Sequence, residues 1–439
     1  MAFETSVHNL RNGSLNKLMP HDRAAHDWYR FVLSFPPHLV RQYLDRFETD
    51  PSSSVLDPFC GTGTTLVECK KRGIPSLGIE AHPMARFASH VKTAWRIFPD
   101  GFFRHAQTVA DRTMRRLRSE GFEEGLLTPR KRPRNATLRA LSPDVDRLLL
   151  RGSISPVPLH KVLVLLDEIQ CERESPFYGH ERLALAKALI HHISNLEFGP
   201  EVGVGPPKSD AQVVLAWMDC VSAMVDDLRE LREMDNALAK TFEADSRSID
   251  GVLPPESVDA VITSPPYPNE KDYTRTTRLE SVLLGFIRNK EELRSVKRGL
   301  IRSNTRNVYV GDADDDCVAD CSRIQQIAAA IEARREELGK TSGFERLYAR
   351  VTKLYFGGMA RHLKSLQRAL RPGAMLAYVV GDQASYLRVM IPTGQIIADI
   401  AQSLGYRCRA IDLFRTRLAT ATREQLREEV VVLQWGRRR

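Results

Sequence analysis

Two short stretches carry residue types that could do chemistry together. The first, DAVITSPPYPNEKDY (259–273), is an apolar run that stops on Ser264-Pro265-Pro266-Tyr267. Proline cannot extend a sheet ladder, so the two prolines end a buried strand and stiffen the chain beyond it. The Ser264 hydroxyl and the rigidly held Pro265 carbonyl are two acceptors that can take both protons of an exocyclic amine. That would localise a nitrogen lone pair otherwise delocalised into a base ring, which is preorganised electrostatic catalysis. Tyr267 offers a ring face for stacking a base taken out of its helix. The loop holds no cysteine, and this chemistry needs no covalent nucleophile.

The second stretch, VLDPFCGTGTT (55–65), places two glycines between a strand and a helix. Gly61 and Gly63 allow a tight turn and close approach of a ligand to the backbone. Phosphate-binding alternatives fit poorly. No lysine follows as a P-loop requires, and Leu66 stands where a dinucleotide fingerprint needs its third glycine. Asp57 ends the strand, Glu80 follows at the spacing of a ribose-binding carboxylate, and Asp245 ends a further strand within reach of an adenine amino group. Three carboxylates at three strand ends suit an adenosine ligand with a cationic centre and no phosphate. S-adenosylmethionine is such a molecule.

These residues need a scaffold. VLDPF, the glycine turn, TLVECKKRG and PSLGIEA read as strand, turn, helix and strand, a βαβ unit with a right-handed crossover. Alternation then lapses over residues 100–235, which are mainly helix-like, and resumes with AKTFEADSR and VDAVITSPPY. A second interruption covers 286–350. RPGAMLAYVVGDQ, PTGQIIADIAQSLGY, RCRAIDLF and REEVVVLQW supply a strand, a helix and two closing antiparallel strands. The expected organisation is a cofactor half (1–99), a helical insertion (100–235), a catalytic-loop half (236–285), a second insertion (286–350) and closing strands (351–439).

In this order, VLDPFCGTGTT, GIEAHP, EADSR and DAVITSPPY resemble the motifs of amino-methylating, S-adenosylmethionine-dependent DNA methyltransferases. HDWYRFVLSFPPHLVRQYL is similar to the segment covering the methionine end of the cofactor. The resemblance implies an α/β fold with a Rossmann-like seven-stranded sheet, mostly parallel, whose last strand is antiparallel. It implies cofactor contacts at Asp57, Phe59, Gly61, Gly63, Thr64, Glu80 and Asp245, with Phe35 and Pro36 from the covering segment. The neighbouring Pro58, Cys60, Thr65 and Ser246 are assigned to the same pocket. Catalytic roles fall on Ser264, Pro265, Pro266 and Tyr267. Serine at the first of these positions points to cytosine N4, with adenine N6 as the alternative. An RNA or tRNA base methyltransferase and a silent nucleic-acid-binding relative are the other readings.

Composition agrees with a nucleic-acid partner. The 439 residues carry a net charge of +9. Two basic stretches are candidate contacts to double-stranded DNA: Arg130, Lys131, Arg132 and Arg134 in the first insertion, and Lys297, Arg298, Arg302 and Arg306 in the second. Either insertion would serve to read the target. Seven scattered cysteines without a CxxC pair predict reduced thiols, no metal site and a cytoplasmic protein. No apolar run reaches membrane-spanning length, and no secretory leader is expected. A cognate restriction endonuclease is a candidate partner.

Overall fold

A computed structural model describes residues 17–30, 34–124, 137–199, 201–234, 236–269, 271–418 and 425–436. The expected contacts Arg130, Lys131, Arg132 and Arg134 lie outside these residues.

The strands in chain order are β1 (Val55–Asp57), β2 (Ser76–Ile79), β3 (Leu196–Phe198), β4 (Val202–Val204), β5 (Ala239–Phe242), β6 (Val258–Thr263), β7 (Leu370–Gly381), β8 (Arg407–Leu418) and β9 (Gln425–Gln434). Seven form one sheet in the order β5-β2-β1-β6-β7-β9-β8, while β3 and β4 pair as a separate hairpin. The neighbours from β5 to β7 are parallel, and β9 runs antiparallel to both β7 and β8. The chain therefore has the Rossmann-like methyltransferase sheet, with its last strand reversed and lodged between β7 and β8.

Strand order reverses at the β1–β6 boundary, where Val55 pairs with Ala260 and Leu56 with Val261. An open α/β sheet offers its binding crevice beyond the carboxyl ends of the strands at such a switch point. VLDPF and VITSPPY end there side by side. The residues of β1 are buried throughout, and those of β6 nearly so, because parallel strands are covered on both faces.

Helices cover the two faces of the sheet. Tyr348–Leu366 and Thr393–Ser403 pack Tyr355, Met359, Ile396 and Ile397 on one side with Leu56, Val261 and Leu376. Pro37–Arg46 packs Leu39, Val40, Tyr43 and Leu44 on the other, with Val55, Ile262, Val379 and Val432. Proline opens the helices at Pro37, Pro83, Pro99 and Pro156, where its missing N–H costs nothing.

The first insertion is helical, with Pro99–Ser119, Pro156–Gln170, Tyr178–Ala188 and Val213–Leu231 as its main members. Its core is not walled off at residue 99. Phe102, Leu185, Trp217 and Val221 share one apolar cluster with Trp28, Val67, Met84, Val91 and Leu283. The insertion thus leans on the helix Pro83–Lys92 and on the segment after the Ser-Pro-Pro-Tyr loop. No helix among the described residues is long and apolar enough to cross a membrane.

Candidate active site

The glycine turn takes its shape from close packing. Gly61 and Gly63 have φ of +50° and +85°, values that favour glycine. A Cβ on Gly63 would lie 2.5 Å from Ser89 Oγ, so this glycine lets the helix Pro83–Lys92 approach. Thr65 Oγ1 donates to the Ile262 carbonyl at 3.0 Å, pinning the next helix to β6.

Asp57 is wholly buried. Its Oδ1 accepts from Thr263 Oγ1 at 2.6 Å and from the Phe59 amide at 3.1 Å. Burial pushes its carboxyl up to about 6, against the hydrogen bonds that favour the ionised form. Thr263 immediately precedes the Ser-Pro-Pro-Tyr loop, so one short hydrogen bond ties the two motifs together across the switch point.

A cavity of about 180 Å³ opens beyond the strand ends. Its walls include Phe35, Pro36, Pro58, Phe59, Cys60, Gly61, Thr64, Glu80, Asp245 and Ser246. Ser264, Pro265, Pro266 and Tyr267 line the same space. Asp57, Gly63 and Thr65 do not line it, which corrects their expected place among cofactor contacts. Asp57 is turned inward to Thr263, Gly63 packs on Ser89, and Thr65 is bonded to β6.

Glu80 accepts from the Gly61 amide at 2.9 Å and the His82 amide at 2.8 Å, so the turn and the end of β2 hold it in place. Burial raises its carboxyl to about 7. Asp245 is three residues beyond β5. Arg247 Nε lies 3.0 and 3.1 Å from its two oxygens, and Nη2 donates to Oδ2 at 2.6 Å. Arg247 Nη1 also reaches Asp314 Oδ2 at 2.6 Å. The acid expected to meet an adenine amine is therefore already clamped from behind. Among the described lining residues Arg415 is the one Lys or Arg, and it is paired with Glu428. Carboxylates and an apolar wall fit S-adenosylmethionine.

Ser264 Oγ donates to the Val379 carbonyl at 3.2 Å. The same hydroxyl also lies within hydrogen-bonding reach of the Tyr267 phenol, and its oxygen keeps lone pairs that can accept. Tyr267 is held as a neutral phenol, its pKa raised by burial and by the nearby charge of Glu428.

The second insertion is partly a brace. Lys297 Nζ bonds Asp272 Oδ2 at 2.8 Å. Arg302, nearly inaccessible, pairs with Asp312 at 2.7 and 2.8 Å and donates to backbone carbonyls of 297 and 298. These two expected DNA contacts are corrected to internal supports. Arg298 and Arg306 remain exposed. The same segment also walls the cavity through Gly299, Leu300, Ile301 and Ser303.

Sequence reasoning missed Thr263, His82, Tyr273, Phe414, Arg415 and Glu428. His82 lies two residues after Glu80 in GIEAHP and was within reach of that motif; Thr263 adjoins Ser264. Phe414 and Arg415 carry no motif. Neighbours on a regular strand face opposite ways, but the β8–β9 register slips between Leu413 and Arg415, and both Phe414 and Arg415 reach the cavity.

Comparison with known proteins agrees with this geometry. A family model described as a DNA methylase matches residues 9–86. The type II methyltransferase M.BsoBI of Geobacillus stearothermophilus is 24% identical over 443 aligned positions, covering 92% of this chain and 82% of its own. M.AvaI of Nostoc sp. is 22% identical, covering 95% and 87%. M.MjaII of Methanocaldococcus jannaschii is 37% identical over 67 residues, which are 15% of this chain and 12% of that protein. With the sheet order, the glycine turn and the Ser-Pro-Pro-Tyr loop meeting at one cavity, these matches make the chain similar to DNA amino-methyltransferases, enzymes that use S-adenosylmethionine, and support the same family for it.

Proposed function

We propose that the protein methylates the exocyclic N4 of cytosine in double-stranded DNA, at a specific site, on a base flipped out of the duplex. The observation that carries the amine-acceptor chemistry is the Ser264 hydroxyl at the cavity wall, bonded to the Val379 carbonyl; the choice of cytosine rests on serine at this position through the family resemblance.

S-adenosylmethionine supplies a methyl group bonded to a sulfonium, an electrophilic carbon. The chain's own residues do the rest. Glu80 would take ribose hydroxyls, and Phe59 would wall the adenine. The Phe35–Pro36 segment would cover the methionine end. Ser264 Oγ and the Pro265 carbonyl would hold the two amine protons, turning the nitrogen lone pair toward the cofactor side. Tyr267 would stack on the base, offsetting part of the lost base stacking. Proximity of two bound reactants is the main source of rate.

Serine at position 264 supports cytosine over adenine through the family resemblance. The relatives are type II methyltransferases, and we propose a restriction endonuclease of matching specificity as a partner in the cell. The test is product analysis. Methyl transfer to unmodified duplex DNA followed by nucleoside chromatography should give N4-methylcytosine. N6-methyladenine as the sole product would refute the base assignment, and transfer to tRNA but not to DNA would refute the substrate class.

A further inference from the structure

At the base-binding end of the cavity a charged pair stands beside the catalytic tyrosine, and the chemistry so far has no use for it. Glu428 on β9 and Arg415 on β8 face each other across the strand pair. Arg415 Nε donates to Glu428 Oε2 at 2.5 Å, and both residues line the cavity. Arg417 Nε lies 3.4 Å from the other Glu428 oxygen. The Arg415 side chain is 16% exposed and that of Glu428 10%. Among the described residues the Arg415 Nη groups have no hydrogen-bond partner.

Their place relative to the reaction is set by β7. Ser264 bonds the Val379 carbonyl, and Gly381 follows two residues later on the same strand face. A Cβ on Gly381 would lie 3.2 Å from both the Tyr267 ring and the Glu428 stem. Gly381 pairs with Glu428, which holds Arg415. Ser264 and Tyr267 thus meet β7 at Val379 and Gly381, and Arg415 on β8 is reached from Gly381 through Glu428 on β9. The strand slip at Phe414 is what brings Arg415 to this wall.

Resting on the cytosine reading above, we propose that Arg415 reads the Watson–Crick edge of the flipped base, donating from its Nη groups to cytosine N3 and O2, with Glu428 positioning the guanidinium. Cytosine carries its amine next to N3 and then O2, two acceptors in a row. Adenine carries N6, then N1, then a C–H. A guanidinium placed for two acceptors would face that C–H with a buried donor unsatisfied, a large penalty in a desolvated site. A cation is suited to the task because it cannot switch to an acceptor. Ser264 and Pro265 alone do not discriminate, since both bases offer them an amine. Arg415 would supply the discrimination.

The experiment compares wild type, Arg415→Met and Arg415→Lys in methyl transfer to unmodified duplex DNA, with product nucleosides identified and the cofactor dissociation constant measured alongside. The expected result is N4-methylcytosine from wild type, and a fall in kcat/KM for DNA of about 10- to 100-fold in Arg415→Met at an unchanged cofactor dissociation constant. Arg415→Lys keeps the charge and should fall between the two. A duplex carrying 3-deazacytosine at the target should slow wild type by a similar factor and slow Arg415→Met little further. N4-methylcytosine production undiminished in both variants would overturn the role of Arg415 while leaving the function intact. Equal sensitivity of wild type and Arg415→Met to 3-deazacytosine would overturn it as well. N6-methyladenine from wild type would instead overturn the cytosine reading on which the proposal rests.

Discussion

Tyr267 and Glu80 do separable work at the level of single side chains. Tyr267 contributes a ring to the acceptor end and nothing to the turn that holds Glu80. Tyr267→Ala should therefore lower methyl transfer by about 10- to 100-fold, the worth of one stacked base, with the cofactor dissociation constant within about twofold of wild type. Titration of cofactor by fluorescence or calorimetry, beside a single-turnover assay, separates the two. Glu80 makes a pH prediction. Its carboxyl is raised to about 7 by burial, and the ionised form accepts from Gly61 and His82 and, in the proposed role, would accept from ribose hydroxyls. Binding that prefers ionised Glu80 must release a proton below pH 7. Cofactor affinity should then be level above about pH 7.5 and weaken toward tenfold per unit below 7. Glu80→Gln should flatten that profile. For folding the sign is opposite. A carboxylate whose folded pKa is raised adds stability below its unfolded value and loses it as pH rises toward 7. Glu80, expected from its spacing to Gly61, and Ser264 and Tyr267, expected from the proline break, line the cavity, whereas Thr263 and His82 beside the same motifs were missed. Asp57 was found but given the wrong partner, because a strand-end carboxylate reads alike whether it faces the ligand or a threonine on the neighbouring strand.

Elements are held to the site by charge and by close backbone contact. Asp314 is bonded by Arg247 and by Arg361, and its carbonyl rests on Gly357 in the middle of the helix Tyr348–Leu366. A Cβ on Gly357 would lie 1.8 Å from that carbonyl oxygen. Helix propensity alone favours alanine over glycine there by about 1 kcal/mol. Overpacking should reverse the sign, so Gly357→Ala is expected to destabilise the protein by about 1–3 kcal/mol. Because Arg247 clamps both Asp314 and Asp245, cofactor binding should weaken in the same variant; denaturant unfolding and cofactor titration measure the two effects. At the amino side, His26 Nε2 lies 2.7 Å from Glu68 Oε1, while Arg41 bridges Glu68 and Asp22. Burial keeps His26 neutral, so it donates to an ionised Glu68. This network fastens the segment around His26 and the helix Pro37–Arg46 to the helix that follows the glycine turn. Periodicity and turn residues showed that these helices exist. Which carboxylate each arginine meets depends on packing between distant segments, and no local pattern encodes it. Lys297 and Arg302 illustrate this, since as sequence they look like phosphate contacts and in the fold they close a loop.

As a whole, the molecule is basic, and a cleft opens at the carboxyl edge of its sheet. Its net charge of +9 gives any DNA complex a strong salt dependence. Arg298 and Arg306 are two of the exposed cations of the second insertion. Replacing both with Gln should lower DNA affinity across all sequences and reduce the logarithmic salt slope by about 2. Equilibrium binding at several salt concentrations would show this, with cofactor affinity unchanged. The sheet was legible at this scale because seven strand segments and a proline-ended loop appear in family order. The sharing of one apolar cluster between the first insertion and the helix Pro83–Lys92 was not, because amphipathic helices declare a buried face without naming what buries it.

The pairing of β1 with β6 joins segments with roughly two hundred residues of chain between them, so the crevice closes only through distant contacts. During synthesis the glycine turn leaves the ribosome long before its partner strand exists, while the intervening helices can already collapse among themselves. Refolding from denaturant should accordingly run through a helix-rich intermediate that has no affinity for cofactor, and binding should return in a later, slower phase.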